Sequence, residues 1–550
     1  MKLNKSIIAF LLITVFLSAC KDELQIENPN FPTPESAATE NGILALGKGG
    51  VYISGFKGLD GKYNDGVPGF FWSGAVGFHS IFGDEVGVEA ANWYLNQIGC
   101  PDEIDILNFA QTADTTVKNP QNPNTQYGLL RLVNSADQQG ANPMFHEWAN
   151  MYSLNNACNN ILSIVENVKF TVGADTKKKT IQAWAYWWKG FAYSRIGSIY
   201  IAGLINSEPN KATNVFVTKE KILEEASANF DKAGALLKSL SADGNYDVVM
   251  KKLIPDYCQV GLGKIPTPDM WSRSINSYKA RNILVNTPIA NMTAAQWGAV
   301  LALANDGIKS GDNVFTGRSD ANGDFLNPQT GTVANKTSSV KPGTATYKLS
   351  ERLVQDFKDD DKRKENNFKK DVNWIGNADR GITFNTRYAL IDKGAGLPGV
   401  MTITSKEPGA TESYLAVFSE ENELMKAEAL INTGKIEDGL GIIDAIRTLQ
   451  GAGLPAVKGT SLSLVAAKEE LRIERRCALA FRGLAFYDAR RLGIIEKGSS
   501  RKNCVVVDGK GKVNTKATIR YNFLDYFDVP ANELIYNPAG AGSAPLKNPK

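Results

Sequence analysis

Histidine is scarce in this 550-residue chain, which contains only His79 and His146. Because metal sites often need two or three imidazole ligands, the sequence largely excludes multi-histidine metal centres. Charge of one sign is lacking as well, since 61 Lys and Arg residues face 58 Asp and Glu residues and leave a formal net charge of +3. So weak a long-range field gives no reason to expect nucleic acid as a partner.

Cysteine is also too rare for a disulfide scaffold, with six residues in the whole chain. If Cys20 is set aside for the reason given below, an odd number remains, so at least one thiol has no disulfide partner. Cys158 and Cys477 fall within helical patterns, which predicts buried thiols there. The pairing of the others stays open.

Motifs for cofactor binding and catalysis are incomplete. The sequence of residues 42–48 is similar to a phosphate-binding loop, but Gly49 stands where the motif requires a Ser or Thr that binds magnesium. Residues 394–399 match a dinucleotide fingerprint by spacing, yet Pro398 and an alternating run replace the required helix. No G-x-S-x-G nucleophile motif occurs. None of these motifs therefore points to a particular enzyme class.

One further motif concerns calcium. Asp320, Asn322 and Asp324 begin like a calcium loop that lacks glycine at its sixth position and glutamate at its twelfth. We expect no cofactor or metal and keep calcium at these three residues as an alternative. The acidic residues also leave open a paired-carboxylate, polysaccharide-degrading enzyme, although no motif singles out two of them.

The chain has a single long apolar run, Ile7 to Leu17, of about 11 residues. A helix of that length covers roughly half of a ~30 Å hydrocarbon layer, which argues against a permanent membrane span. Lys2 and Lys5 precede the run, and small residues follow it. This is the pattern of a secretory signal peptide, which we place at residues 1–19.

Cys20 directly follows those small residues, an arrangement that resembles the bacterial lipobox. The resemblance implies lipidation of the Cys20 thiol, with a plain signal peptide and an incidental cysteine as the alternative. Residues 20–39 are polar and contain prolines, which predicts a lipidated tether. Lys21-Asp22-Glu23 resembles the export signal of some Bacteroidota-type lipoproteins. We expect an outer-membrane, lipid-anchored, surface-exposed protein.

Apolar residues recur every three or four positions through most of the body, which predicts amphipathic helices. The predicted helices cover about 151–168, 179–201, 219–240, a segment beginning at the Thr293 capping box, 349–357, 413–432, 436–450 and 464–492. Trp148, Trp184, Trp188 and Trp297 lie on their apolar stripes, which predicts core positions. Consecutive helices of similar length can pack as antiparallel pairs. They predict a mainly α fold of tetratricopeptide-like stacked hairpins with a few short strands.

Apart from 349–357, the helical period is absent from two stretches, at about 310–410 and 495–550, where we expect loop-rich insertions. Within the first stretch, alternating runs at 381–388 and 400–404 predict small strands. The rest of residues 40–550 then forms a single α-helical body.

Three motifs resemble the SusD/RagB family of outer-membrane nutrient-binding lipoproteins. The first is Glu423-Leu-Met-Lys-Ala-Glu-Ala429, followed by Gly434 and Asp444-Ala-Ile-Arg447. The second runs from Glu474 to Gly493 and is similar to the family's E-R-R-x-E-L-A-F-E-G-x-R-x-x-D-L-R-R-x-G. The third is Val529-Pro530-x-x-Glu533, followed by Asn-Pro pairs near the end of the chain.

The chain departs from the family motifs at several positions that are usually polar. Asp444 stands where the family usually has Asn, and Ala478, Arg482 and Ala485 stand where it has Glu, Glu and Arg. A carboxylate–guanidinium pair of the family is therefore missing or rebuilt.

The resemblance covers nearly the whole chain and implies a SusD-like fold. It further implies a non-enzymatic receptor that captures an oligosaccharide and delivers it to a SusC-like TonB-dependent barrel transporter. The alternatives are a peptide-binding receptor of the same family, a secreted helical polysaccharide-degrading enzyme, and a helical adaptor or adhesin.

Two carboxylates lie on the packed stripe of the last predicted helix, Glu474 and Asp488. Carboxylates in such positions need cationic partners. We expect a structural clamp of Glu474, Asp488 and Arg447 rather than a catalytic pair. The other arginines that could serve are Arg475, Arg476, Arg490 and Arg491.

Four aromatic residues, Trp72, Trp93, Tyr94 and Trp374, lie among Gly and Asn outside the predicted helices. A sugar ring has an apolar C–H face and a rim of hydroxyls, so its site needs flat aromatic faces beside polar groups. We expect these four residues to bind the ligand, with Trp271 as a weaker candidate. For each one singly, an anchor that packs against the body is the alternative.

Overall fold

The computed structural model of the chain describes residues 38–53, 76–88, 95–107, 112–119, 126–135, 142–318, 347–375, 385–391, 399 and 412–550. Helices dominate, as the apolar period predicts. They are α1 (Glu40–Leu46), α2 (Val76–Phe82), α3 (Leu95–Ile98), α4 (Gln126–Val133), α5 (Pro143–Ile164), α6 (Ala174–Ile199), α7 (Lys219–Leu237), α8 (Gly244–Leu253), α9 (Pro268–Asn286), α10 (Ala294–Asn305), α11 (Glu351–Asp356), α12 (Lys362–Asn367), α13 (Ser419–Asn432), α14 (Ile436–Leu449), α15 (Leu464–Ala478), α16 (Ala485–Arg491) and α17 (Ala531–Tyr536). None of these helices combines the length and apolarity that crossing a bilayer would require.

Helix α6 lies at the centre of the core and packs against α5 and α7. Its three tryptophans, Trp184, Trp187 and Trp188, are at most 3% exposed. Gly190 permits the close approach of α7, because a Cβ there would lie 2.6 Å from the Phe230 ring. The core positions predicted for Trp148 and Trp297 are confirmed as well.

Helices α8 and α9 are among those that lie outside the predicted helical segments, and α12 and α17 lie within stretches predicted to be loop-rich. Helix α9 begins at a strong start signal, since the Thr267 hydroxyl accepts a hydrogen bond from the Met270 N–H and Pro268 occupies the first turn. Ser, Asn, Lys and Arg fill much of the helix and obscure its apolar period. Trp271 is 1% exposed on this helix, so the structure assigns it to the core.

Helices α13 and α14 form an antiparallel pair, as the sequence predicts. Gly434 ends α13 with a φ of 86°, a conformation that glycine adopts without a steric penalty. The predicted start of α13 at residue 413 is six residues early, because Glu412–Tyr414 forms a strand instead.

The single helix predicted over 464–492 is wrong, because α15 ends at Ala478 and α16 begins at Ala485. Phe481 and Gly483 have φ values of 58° and 72° in the turn between the two helices. The Phe481 N–H donates to the buried Glu85 carboxylate at 2.7 Å, a tertiary contact that stabilises the break.

The strands are β1 (Val86–Val88), β2 (Glu103–Leu107), β3 (Ala113–Lys118), β4 (Ala202–Gly203), β5 (Val217–Thr218), β6 (Thr316–Arg318), β7 (Tyr347–Leu349), β8 (Phe368–Trp374), β9 (Thr386–Leu390), β10 (Glu412–Tyr414), β11 (Arg501–Val507) and β12 (Val513–Arg520). Four of them form an antiparallel sheet in the order β11-β12-β2-β3. The other eight form antiparallel pairs, β1 with β7, β4 with β5, β6 with β10 and β8 with β9.

The region at 495–550, predicted to be loop-rich, therefore contains a β-hairpin. Ile519 of β12 pairs with Ile104 of β2, and both side chains are buried. Strand β9 overlaps the predicted strand at 381–388, whereas the predicted strand at 400–404 lies outside the described residues.

The five cysteines that follow Cys20 are buried thiols: Cys100, Cys158, Cys258, Cys477 and Cys504. Burial raises the pKa of Cys158 to about 12. A thiol with so high a pKa is not a ready nucleophile, which agrees with the packing role predicted from its helical position.

Candidate functional site

The predicted ligand aromatics are only partly placed by the structure. Trp374 is the last residue of β8, where it pairs with Thr386 of β9. Trp72, Trp93, Tyr94 and the predicted lipidation site Cys20 lie outside the described residues. The binding roles of the four aromatic residues stay predictions.

Glu474 on α15 lies fully buried in a group of ion pairs. Arg447 Nε donates to Glu474 Oε2 at 2.8 Å, and Arg363 Nη1 donates to Oε1 at 2.7 Å. Burial alone would lower the pKa of Arg447, but the carboxylates of Glu474 and Glu470 raise it overall. Each buried charge is thus compensated by an opposite charge.

Asp488 on α16 accepts from Arg491 Nε at 2.7 Å and from Arg475 Nη2 at 3.1 Å. Arg491 also binds both carboxylate oxygens of Glu428, at 2.6 and 2.9 Å. Burial would raise the pKa of Asp488, but Arg475 and Arg491 lower it overall. We call the whole group the ion-pair frame: Arg363, Arg447, Arg475 and Arg491 with Glu428, Glu474 and Asp488.

The sequence predicts some members of the ion-pair frame but not others. Arg447, Arg475 and Arg491 belong to the predicted set. Arg363 and Glu428 do not, because they lie 111 and 63 positions from their partners and no local pattern records such contacts.

A cavity of about 420 Å³ lies beside the ion-pair frame, between α15, α16 and the segment after α2. Leu484 and Ile495 contribute to its apolar wall. Apart from Lys468, its charged groups bind the protein itself; for example, Asp84 pairs with Arg352 at 2.7 Å and Arg476 donates to the Gly83 carbonyl at 2.8 Å. A hydroxyl-rich ligand would find few available partners here.

A second, smaller cavity of about 300 Å³, which we call the cleft, lies where the α15–α16 turn faces the start of α13 and the end of α14. Ser310, Glu420, Gln450, Phe481 and Arg482 are among its lining residues. The cleft therefore combines an aromatic ring with a hydroxyl, an amide, a carboxylate and a guanidinium.

Arg482 lies against two aromatic rings. Its guanidinium carbon is 4.4 Å from the Tyr414 ring centroid and 5.3 Å from that of Phe418. The two rings are stacked with centroids 4.6 Å apart. Attraction between the cation and the ring faces fixes the half-buried guanidinium at the wall of the cleft.

Chain connectivity places the cleft beside the predicted loop-rich region. Thr316 of β6 pairs with Tyr414 of β10, whose ring contacts Arg482, and Arg318 pairs with Glu412 two residues further along. Gly399 itself lines the cleft. The β6–β10 pair, which lies near the two ends of the predicted loop-rich stretch, is thus close to the cleft.

Candidate metal ligands do not converge within the described residues, where no three His, Cys, Asp or Glu side chains are placed to hold an ion. Asp320, Asn322 and Asp324 lie outside those residues, so calcium at this position stays an untested alternative.

Comparison with solved structures shows the same architecture in other proteins. A structure described as a SusD-like carbohydrate-binding protein from Bacteroides vulgatus aligns with a TM-score of 0.50 and 12% identity, over 86% of this chain and 98% of that chain. Another of the same description, from Bacteroides fragilis, gives 0.51 and 14%, over 85% and 99%. A SusD superfamily protein from Bacteroides thetaiotaomicron gives 0.50 and 16%, over 84% and 97%.

No family model matches the sequence, and no curated protein matches it. At 12 to 16% identity to the three solved structures, the property shared with them is the fold. The chain is a mainly α protein of stacked helical hairpins, as its periodicity predicts. More particularly, it has the SusD-like fold that its three motifs predict.

Proposed function

We propose that the protein is a surface receptor of the outer membrane that binds oligosaccharides and delivers them to a SusC-like TonB-dependent transporter. The observation that carries this proposal is the SusD-like fold over 85 to 86% of the chain, in common with two solved proteins that are described as carbohydrate-binding. The protein acts by binding and release, without catalysis.

The chemistry of the cleft supports a glycan ligand. A sugar needs a flat apolar contact for its C–H face and both donors and acceptors for its hydroxyls. Phe481 supplies an aromatic wall, Arg482 supplies donors, Glu420 supplies acceptors and Ser310 supplies a hydroxyl that does both.

Calorimetric titration tests the binding step. The Cys20→Ala protein, which is a soluble form of the chain if Cys20 is the anchor, is titrated with neutral and acidic oligosaccharides and with peptides, and the mixtures are then analysed by chromatography. We expect saturable binding of a glycan class and no products. Cleavage products would favour the polysaccharide-degrading enzyme, peptide binding would favour the peptide receptor, and no binding at all would favour the adaptor or adhesin.

The four predicted aromatics can be tested in the same assay. We expect Trp72→Ala, Trp93→Ala, Tyr94→Ala and Trp374→Ala to include at least one loss of affinity of about thirtyfold, the effect of a central aromatic contact worth about 2 kcal/mol. Tyr536→Ala is the matched control, because Tyr536 is an 84% exposed aromatic on α17. If all four bind like the parent with unchanged melting, the ligand platform lies elsewhere.

In this proposed receptor, residues 1–19 are the leader, residues 20–39 the lipidated tether and residues 40–550 the binding body. The several acyl chains of a lipoprotein bind a membrane firmly, at about 0.8 kcal/mol per buried methylene. Cys20→Ala should therefore release the protein from membranes of cells that lack the transporter. Continued fractionation with the outer membrane in those cells would contradict the lipid anchor.

Delivery to a transporter requires a stable complex. Affinity purification in mild detergent should recover a large outer-membrane barrel together with the protein. Recovery of the protein alone from cells that express such a barrel would contradict the delivery step and leave glycan binding intact.

A further inference from the structure

Arg482 differs from every other arginine whose side chain the structure describes. Each of the others donates to a carboxylate or a main-chain carbonyl; even Arg490, which has no carboxylate partner, donates to the carbonyls of Ser198, Val285 and Asp525. Among the described residues, no oxygen accepts a hydrogen bond from the Arg482 guanidinium and no carboxylate pairs with it. No group in the described part of the chain neutralises its charge.

The contacts that Arg482 does make leave its donors available. The guanidinium lies over the faces of the Tyr414 and Phe418 rings. This cation–π contact is not a conventional hydrogen bond to an oxygen acceptor. A guanidinium carries five N–H donors in a fixed planar fork. The rings therefore orient the guanidinium at the cleft and leave its N–H donors without hydrogen-bond acceptors among the described residues.

Glu420 is the other charged residue among the described residues that line the cleft. Its Oε2 accepts from the Ser419 hydroxyl at 2.8 Å, and it forms no ion pair with Arg482. It lies in the first turn of α13, where the helix dipole offsets a negative charge. Glu420 thus leaves the Arg482 charge for a ligand.

A ligand that covers Arg482 removes water from its N–H groups and must replace the lost hydrogen bonds. A sugar hydroxyl satisfies one donor weakly, whereas a carboxylate accepts two parallel hydrogen bonds from the fork and neutralises the charge. An anionic group therefore compensates the desolvation of Arg482 better than a neutral hydroxyl does.

We infer that the cleft selects acidic oligosaccharides, with Arg482 as the residue that binds the carboxylate of a uronic acid unit. This inference rests on the proposed glycan-binding function and names its substrate class. Sulfated sugars present a related anion, and the experiment separates them from uronates.

The test pairs each acidic glycan with a neutral form of the same backbone. Oligogalacturonate, alginate and hyaluronan oligosaccharides are titrated beside their carboxyl methyl esters, with a sulfated oligosaccharide as a third arm. We expect a uronate to bind about tenfold to a hundredfold more tightly than its ester, because a hydrogen bond to a charged group is worth about 1.5 to 3 kcal/mol. The preference should weaken as salt is added.

Variants of Arg482 test whether this residue causes the preference for the acid over the ester. Arg482→Gln should bind acid and ester alike, and Arg482→Lys should keep part of the preference, because an ammonium retains the charge and lacks the planar fork. Arg520→Gln is the matched control, since Arg520 is a partly exposed arginine on β12 that pairs with Asp105. It should keep the full preference.

The outcomes separate the two proposals. Tighter binding of neutral glycans, an acid preference that survives Arg482→Gln, or a preference confined to sulfated sugars would overturn the inference and leave the receptor proposal standing. Absence of binding by every glycan would overturn both. If Arg482→Gln does not fold, the Arg482→Lys variant decides, since an undiminished preference in it would contradict bidentate recognition.

Discussion

Two arginines of the same C-terminal helix group have opposite environments. Arg447 in the ion-pair frame is 3% exposed and binds Glu474 and Glu470. Arg482 at the cleft is half-buried and lies on aromatic rings without a protein acceptor among the described residues. A buried charge without a partner costs several kcal/mol, whereas a charge that water can reach does not need one. The same residue type therefore stabilises the fold in one region and remains available for binding in the other.

The motif from Glu474 to Gly493 contains both kinds of residue. Glu474, Arg475, Asp488 and Arg491 agree with the family pattern and belong to the ion-pair frame. Arg482 departs from that pattern and lines the cleft. The residues that match the motif thus stabilise the fold, whereas Arg482, which does not match it, is a candidate binding residue.

Glu474→Ala should have the largest effect on stability. The change leaves Arg447 and Arg363 without their shared carboxylate in the interior, which costs about 3 to 5 kcal/mol. Urea unfolding followed by circular dichroism measures the loss. Glu469→Ala is the control, because Glu469 is a half-exposed partner of Arg472 on the same helix and its pair is worth about 0.5 kcal/mol or less. Equal losses in the two variants would contradict the distinction between buried frame and surface.

Asp488→Ala should cost about 3 kcal/mol, at the lower end of the same range, because Arg491 keeps Glu428 as a partner. The Asp488 side chain is also 16% exposed, so water can reach it. We expect a lower melting temperature and an unchanged glycan affinity of the folded protein. Unchanged stability with lost binding would place Asp488 in the binding site.

A further buried charged cluster contains a histidine, His79. His79 Nε2 lies 3.1 Å from Glu147 Oε2, and Arg195 binds the same carboxylate. Burial lowers the pKa of His79 more than Glu147 raises it, while Arg195 and Arg490 lower it further. Below a pH of about 6.5 the unfolded chain therefore takes up a proton that the folded protein does not.

The free energy of unfolding should consequently fall as the pH decreases below about 6.5, by at most about 1.4 kcal/mol per pH unit from this residue. Unfolding of the parent and of His79→Gln between about pH 5.5 and 7.5 isolates the contribution. The variant should show the shallower slope. Equal slopes would mean that the folded protein protonates His79 as readily as the unfolded chain does.

Regular helices could be predicted from the sequence because local signals encode them. The capping box at Thr293 and the stop at Gly434 lie where the sequence places them. The break between α15 and α16 could not be predicted, since the Phe481 hydrogen bond to Glu85 spans 396 positions. Helix α9 was missed because a polar composition hides its packed face.

The candidate site was predicted less well than the fold. The partners of Glu474 and Asp488 were named in part, while Arg363 and Glu428 become neighbours only in the folded chain. The cleft has no signature in the sequence, because its wall combines residues from the α15–α16 turn, α13, α14 and the segment after α10. Arg482 could be noticed from its departure from the motif, but its lack of a protein acceptor required the structure.

Arg482→Ala should have the smallest effect on stability. The contact with Tyr414 and Phe418 is worth about 0.5 to 1 kcal/mol at a partly exposed site, and no buried carboxylate loses its partner. Arg447→Ala is the matched comparison and should cost about 3 to 5 kcal/mol, because Glu474 would lose one of its two guanidinium partners in the interior. Parallel urea titrations of the two variants measure both losses under one set of conditions. If Arg482→Ala destabilises the protein as much as Arg447→Ala, then Arg482 belongs to the structural network, and its charge is not available to bind a ligand.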